Sequence, residues 1–368
     1  MARDIKRFGR ITFILMLCVA AIFSVRILFA QENKAETAGQ KESSGNKEEK
    51  FNAGELIIEH ISDAHEWHIA GHLAIPLPVI VYSPEKGISC FSSARFEEGK
   101  GNYKGYAMEH GHIRAVREDG SIDEPATAGL IDFSITKNVA SIFITILLML
   151  WIFISVAKAY TRNPGKAPRG MQSLMEPLII FVRDEIAKSA IGEKKYKRYL
   201  PFLLTVFFFI WINNLLGLVP IAPGGANVTG NIAVSMTLAA LVLIITLFSG
   251  NSNYWRHIVA MPGVPAGVLV LLTPIEIIGV FLKPFVLMIR LFANILAGHI
   301  IALSFFSLIF IFAEMNYALG YGVSLLSVAF TVFMGFLELL VAFLQAYVFT
   351  LLSAMYFGAA TEEHHEHH

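Results

Sequence analysis

The run Lys283-Pro-Phe-Val-Leu-Met-Ile-Arg290-Leu-Phe-Ala-Asn294-Ile-Leu-Ala-Gly-His299 sets an arginine, an amide and an imidazole inside a stretch that otherwise reads as a membrane helix. Outward from it, the charged side chains between residues 199 and 358 are only Arg256, Glu276, Lys283, Arg290, Glu314 and Glu338. An arginine at bilayer depth costs at least ~2.5–3.5 kcal/mol on insertion scales. A segment so poor in charge does not carry one there by accident of composition. Arg290 therefore reads as functional, and it calls for an acidic partner.

The chain around this run is 55% hydrophobic over 368 residues, with zero formal net charge. Its mean hydropathy of +0.58 is too high for a soluble protein of this size. No excess of basic residues points to a nucleic-acid partner. Charge is unevenly spread: residues 31–134 hold ten Lys/Arg against eighteen Asp/Glu, and residues 158–198 hold ten against four. Only Lys and Arg count in the positive-inside rule, so the second segment is expected in the cytoplasm. Two cysteines, Cys18 and Cys90, imply no disulfide framework.

In chain order, Arg3, Lys6, Arg7 and Arg10 precede an apolar run from Ile11 to Val25 that ends at Ala30-Gln31. Residues 1–30 thus resemble a secretory signal peptide, with an uncleaved anchor as the alternative; either one exports the segment C-terminal to it. Residues 31–50 are polar and read as a disordered linker. The exported segment 31–134 continues as a small partly folded unit, in which Leu73 to Tyr82 is expected as an edge strand because of its prolines. His60, His65, His68 and His72 share one face if that stretch is helical; a metal site and a solvated histidine-rich surface are the two readings. From 135 to 360 an all-α membrane domain is expected. Spans are read at about 139–157, 200–219, 232–248, 265–313 and 323–358, with an amphipathic helix over 171–191 lying on the cytoplasmic surface. Its apolar face is read as Leu174, Leu178, Val182 and Ile186. Residues 361–368, rich in His and Glu, read as a solvated tail.

The last two spans are about twice the length a ~30 Å hydrocarbon core needs, so they form a long, strongly tilted hairpin, kinked at Pro274 and Pro284. If it turns near residue 318, residues whose numbers sum to about 636 stand level. Arg290 then faces Gln345, and His299 faces Glu338. In a straight helix His299 points away from Arg290, so two polar regions are expected. One is Arg290 with Asn294 and Gln345. The other is the His299–Glu338 pair, which can relay protons. No acid of this chain matches the level of Arg290. Polar residues of this kind also staple helices, at about 0.6 kcal/mol per bond, and that reading weighs equally for Asn294 and Gln345.

Three motifs in order, Asn214-Leu-Leu-Gly-Leu-Val-Pro220, Arg290-Leu-Phe-Ala-Asn294 with Ala297-Gly298, and Leu344-Gln345-Ala346, resemble subunit a of the F-type ATP synthase membrane sector. Leu174 to Ile191 is similar to that family's cytoplasmic surface helix. The resemblance covers about 135–363 and implies five spans, a cytoplasmic C-terminus and a bacterial inner-membrane location. It implies a ring of c subunits as the source of the missing carboxylate, the subunit b peripheral stalk and the rest of the F1F0 complex as partners, and lipid around them. It also implies roles: Arg290 as the fixed charge with Gln345 beside it, Asn294, His299 and Glu338 on the outer access path, and Glu276 on the cytoplasmic exit. No cofactor is implied. The absence of a G-x-x-x-x-G-K-[ST] loop puts ATP chemistry on other subunits. The competing class is a secondary transporter with Arg290 as counter-ion for an anionic substrate. It predicts internal repeats, which residues 139–250 and 265–358 do not display. The long exported extension departs from the family's usual minimum.

Overall fold

The computed structural model describes Gly54 and residues 62–362, apart from 71–72, 97–100, 110, 118, 163, 220–223, 260, 262–263 and 316. The leader, the 31–50 linker, the residues 363–368 of the tail, His60 and His72 lie outside the described residues.

Residues 62–132 form a β-unit of short antiparallel strands. β1 (Glu66–Ala70) pairs with β2 (Leu73–Pro76). β3 (Pro78–Ser83) stands between β4 (Gly87–Ser92) and β8 (Ile131–Asp132), and β6 (Tyr106–Glu109) stands between β5 (Asn102–Tyr103) and β7 (His112–Ala115). A short helix, α1 (Glu124–Ala128), is capped by the side chain of Asp123. The expected single edge strand over 73–82 is corrected: it breaks at Leu77, and β3 is a central strand. Proline is tolerated because Pro76 closes one strand and Pro78 opens the next, where no ladder hydrogen bond is asked of its nitrogen. Inward residues of β3, Val79 and Val81, are fully buried with Phe96, against Phe91 and Tyr106. Phe91 meets Phe96 edge-on, with ring centroids 5.3 Å apart. Phe96→Ala should cost about 3–5 kcal/mol. In the full chain in detergent, protease should then cut residues 62–132 first; an unchanged digestion pattern would mean Phe96 does not hold this core.

Among the described residues, the helix that a shared histidine face needs does not form, because Glu66–Ala70 is a strand. His65 is buried and its Nε2 lies 3.4 Å from the Asp132 carboxylate, so it is not a solvated surface group. Burial pushes Asp132 up, but the bonds from His65 and Ser134 outweigh it and leave the acid below the usual range.

Among the described residues, five helices are long and apolar enough to cross a membrane: α2 (Lys137–Arg162), α4 (Tyr196–Leu218), α5 (Ile232–Ser249), α7 (Ala266–Met315) and α8 (Tyr317–Thr361). The short α6 (Ser252–Val259) joins α5 to α7. α7 runs unbroken through Pro274 and Pro284 for 50 residues, or about 75 Å at 1.5 Å per residue. Helix α8 begins earlier than the expected 323, so the connection is confined near residue 316. The hairpin's register agrees with the level pairing: Phe305 stacks on Phe330, centroids 5.0 Å apart. Burial separates two classes of span. The apolar windows of α2, α4 and α5 are 39–50% buried, those of α7 and α8 only 17% and 11%. The hairpin therefore packs on the other spans along one flank and leaves the other bare.

The amphipathic stretch is α3 (Met171–Phe181), continued by a π-helical turn over Val182–Lys188 and a last turn at Ser189–Ile191. Met175, Val182, Ile186 and Ala187 are its buried side. Leu174, expected there, is 60% exposed. Stepping by four residues drifts 40° per step around a helix of 3.6 residues per turn, so Leu174 falls off the stripe and Met175 replaces it.

The β-unit is fastened to the helices. Asp63 accepts from the Thr136 hydroxyl at 2.8 Å and from the backbone N–H of Asn138 at 3.2 Å, at the start of α2. Trp67 donates its indole N–H to the Gly224 carbonyl at 2.7 Å, a buried bond across 157 positions.

Candidate functional site

Between α4, the loop before α5, and the hairpin lies a cavity of about 390 Å³. α7 contributes Asn294 and His299, and α8 contributes Glu338 and Gln345. α4 contributes Asn213 and Asn214, and the loop supplies Asn227 and Thr229.

These side chains stand there for local reasons. Gly298 lets the hairpin close, since a β-carbon on it would lie 3.0 Å from Oε1 of Glu338. Gly217 of α4 does the same for the loop before α5, since a β-carbon on it would lie 3.2 Å from the Ala226 carbonyl oxygen. Glu338 Oε1 is buried with no hydrogen-bond partner among the described residues. Asn214 is held at both ends: its amide N–H donates to the Ala342 carbonyl at 3.3 Å, and its oxygen accepts from the Thr229 hydroxyl. Asn213 accepts from Thr145 at 3.0 Å and donates to the Phe209 carbonyl at 2.8 Å. The loop wall is set by Asn227, which accepts from Gly230 N–H at 3.0 Å, and by Ser235, which donates to the Thr229 carbonyl at 2.6 Å. A cavity walled by amides, an imidazole and an orphaned carboxyl oxygen can hold water and pass protons.

The division expected from the sequence falls elsewhere: Arg290 stands apart, and its expected companions join the other pair. Asn294 and Gln345 line the same cavity as His299 and Glu338, with α4 and the loop before α5 closing it. Arg290 does not line it. It stands one turn from Asn294 on the exposed side of α7, and no carboxylate among the described residues forms an ion pair with it. Glu276 is nearer the other end of α7, half-buried. It faces α6: burial, and after it the Glu276 charge, push the Tyr254 hydroxyl above its usual range. Sequence reasoning gives Asn213, Asn227 and Thr229 no role of their own. The Asn213-Asn214 pair inside an apolar span was the available signal.

The family model for the ATP synthase A chain matches residues 139–358, which contain the whole cavity together with Arg290 and Glu276. The chain belongs to the ATP synthase A chain family. As a member of it, the chain is a multi-pass membrane subunit of the ion-transporting F0 sector. A second model, a domain of unknown function (DUF8433), matches residues 56–133, the β-unit. ATP synthase subunit a of Chloroherpeton thalassium is 43% identical over 246 residues, 65% of this chain and 70% of that one. ATP synthase subunit a of Myxococcus xanthus is 42% identical over 249 residues, 65% of this chain and 78% of that one. ATP synthase subunit a 2 of Chlorobium luteolum is 37% identical over 350 residues, 93% of this chain and 85% of that one. That last similarity takes in most of the residues before α2 as well.

Proposed function

We propose that this chain is the proton-translocating stator of the F-type ATP synthase, forming two half-channels against a ring of c subunits with Arg290 as the fixed charge. What supports this is the division among the polar groups. Asn294, His299, Glu338 and Gln345 share a cavity, while Arg290 stands outside it on the bare flank of the hairpin. An uncompensated arginine on that flank asks for a carboxylate in trans.

Sidedness follows from charge. The basic segment 158–198 is cytoplasmic, which puts the β-unit in the periplasm and the end of α8 inside. Protons enter from the periplasm through the cavity and neutralise a ring carboxylate beside Asn294. The neutral carboxyl then turns into lipid, where its ion would be costly. After nearly a full turn it gives up the proton on the cytoplasmic side near Glu276. Arg290 cannot release its own proton, so it favours the ionised carboxylate and bars direct passage between the two paths. One charge crossing 100 mV supplies about 2.3 kcal/mol, so several transfers drive each ATP. ATP itself is made on other subunits of the F1F0 complex, which the subunit b stalk holds in place.

The test is cross-linking. A cysteine at Ile289 or Asn294, both exposed, should form a disulfide with one placed beside the acidic residue of a co-expressed c subunit. Absence of cross-links in an assembled, inserted pair would leave Arg290 without its partner and favour an anion transporter instead.

A further inference from the structure

Helix α2 carries a line of polar side chains on the face it turns toward α4. Asn138, Ser141 and Thr145 are three and four residues apart and so share that face, and none is more than 3% exposed. Successive members are separated along the axis by about 4.5 and 6 Å, gaps that a bridging water closes. The line has two ends. Thr145 donates to Asn213, a wall of the cavity. At the other end, Asp63 of the β-unit accepts from Thr136 and from the N–H of Asn138.

In between, Oδ1 of Asn138 and Oγ of Ser141 are buried without a hydrogen-bond partner among the described residues. Ser141 departs from the habit of this fold. Thr237, Thr246, Thr350 and Ser353 each donate to the carbonyl four residues back, and Ser141 makes no such bond. A buried polar group left unpaired is costly, and a water with two to four polar neighbours is the usual remedy.

We infer that Asn138, Ser141 and Thr145 hold a file of water joining Asp63 of the β-unit to the cavity, an enclosed access route along α2. Its role in proton delivery rests on the half-channel reading; the presence of water does not. The β-unit then supplies the mouth of the route.

The test uses the assembled complex in membrane vesicles with Cys18 and Cys90 replaced by Ser. Single cysteines are introduced as Ser141→Cys and, as a control, Leu147→Cys on the outer face of the same helix, 66% exposed there. Silver ion is the water-borne thiol probe. Ser141→Cys should react at least about tenfold faster, since a thiol against hydrocarbon meets no water. Equal or slower reaction overturns the file. Should Ser141→Cys fail to assemble, Thr145→Cys reads the same line with the same two outcomes. The plug Ser141→Val should lower proton-driven ATP synthesis several-fold while KM for ADP stays unchanged; an unchanged rate overturns the route. Silver reactivity alongside an Arg290→Ala complex that still makes ATP would keep the water and discard the half-channels. An unreactive cysteine with the Arg290 result intact discards the file alone.

Discussion

Arg290→Ala should abolish proton-driven ATP synthesis while leaving the subunit folded and inserted. The argument for intact folding is that Arg290 is exposed on α7 and makes no ion pair among the described residues, so no packing is lost. Insertion should if anything become easier, because the cost of an intramembrane arginine disappears. The argument for lost function is that, among the described residues, this is the one cation on the bare flank near the cavity's level. Removing a preorganised charge that faces a reacting group typically costs about 100-fold to 1,000-fold, and here it also opens a leak between the two paths. Arg290→Lys should recover little, because an ammonium lacks the rigid fork and loses its proton readily in apolar surroundings. The measurement is ATP synthesis in vesicles under an imposed proton gradient, normalised to assembled complex. Coupled synthesis at the parental rate in Arg290→Ala would sink the stator assignment.

The second large effect lies in packing rather than charge. Gly358→Val should remove most of the assembled subunit. A β-carbon at Gly358 would overlap the backbone carbonyl of Ala190, and a backbone cannot swing aside as a side chain can. Everything around this point is clamped. Phe357 is fully buried and stacks on Tyr199, centroids 5.1 Å apart. Lys195 donates to the Thr361 carbonyl at 2.6 Å, and the Asn251 N–H to the Ala360 carbonyl at 2.9 Å. Overpacking a tight site costs about 1–3 kcal/mol or more, and with no free neighbour the upper end is expected. Immunoblots of membranes would read it. Normal levels of Gly358→Val would mean the last turn of α8 is looser than its contacts imply.

The hairpin was legible because its polar residues are few. With four such groups in two long apolar runs, one turn position fixes all their levels, and Gly298 against Glu338 obeys the same sum of 636. The single cavity was not legible. Two of its walls come from α4 and the loop before α5, and no periodicity links Asn214 or Thr229 to residues more than sixty positions away. Straight-helix angles also overstated the separation of Asn294 from His299. In the β-unit, strands of two to six residues give too little alternation to read, so one strand was seen where several lie. The π-helical turn over Val182–Lys188 had no signal at all, since it changes the hydrogen-bond spacing without changing composition. Roles for Arg290 and Glu276 came from resemblance; their positions came from the fold.

The bond from Trp67 to Gly224 spans 157 positions, and this sets an order of events during synthesis. A ribosome adding ~5–20 residues per second makes the indole about 8–30 s before the carbonyl it will meet. On the proposed sidedness, the β-unit waits through that interval on the far side of the membrane with the ring N–H bonded to water. The bond can form only after α4 has crossed and its loop has emerged beside the waiting strand. Burial of Trp67 therefore marks the moment when the first spans are correctly threaded, before the hairpin that carries Arg290 has been made.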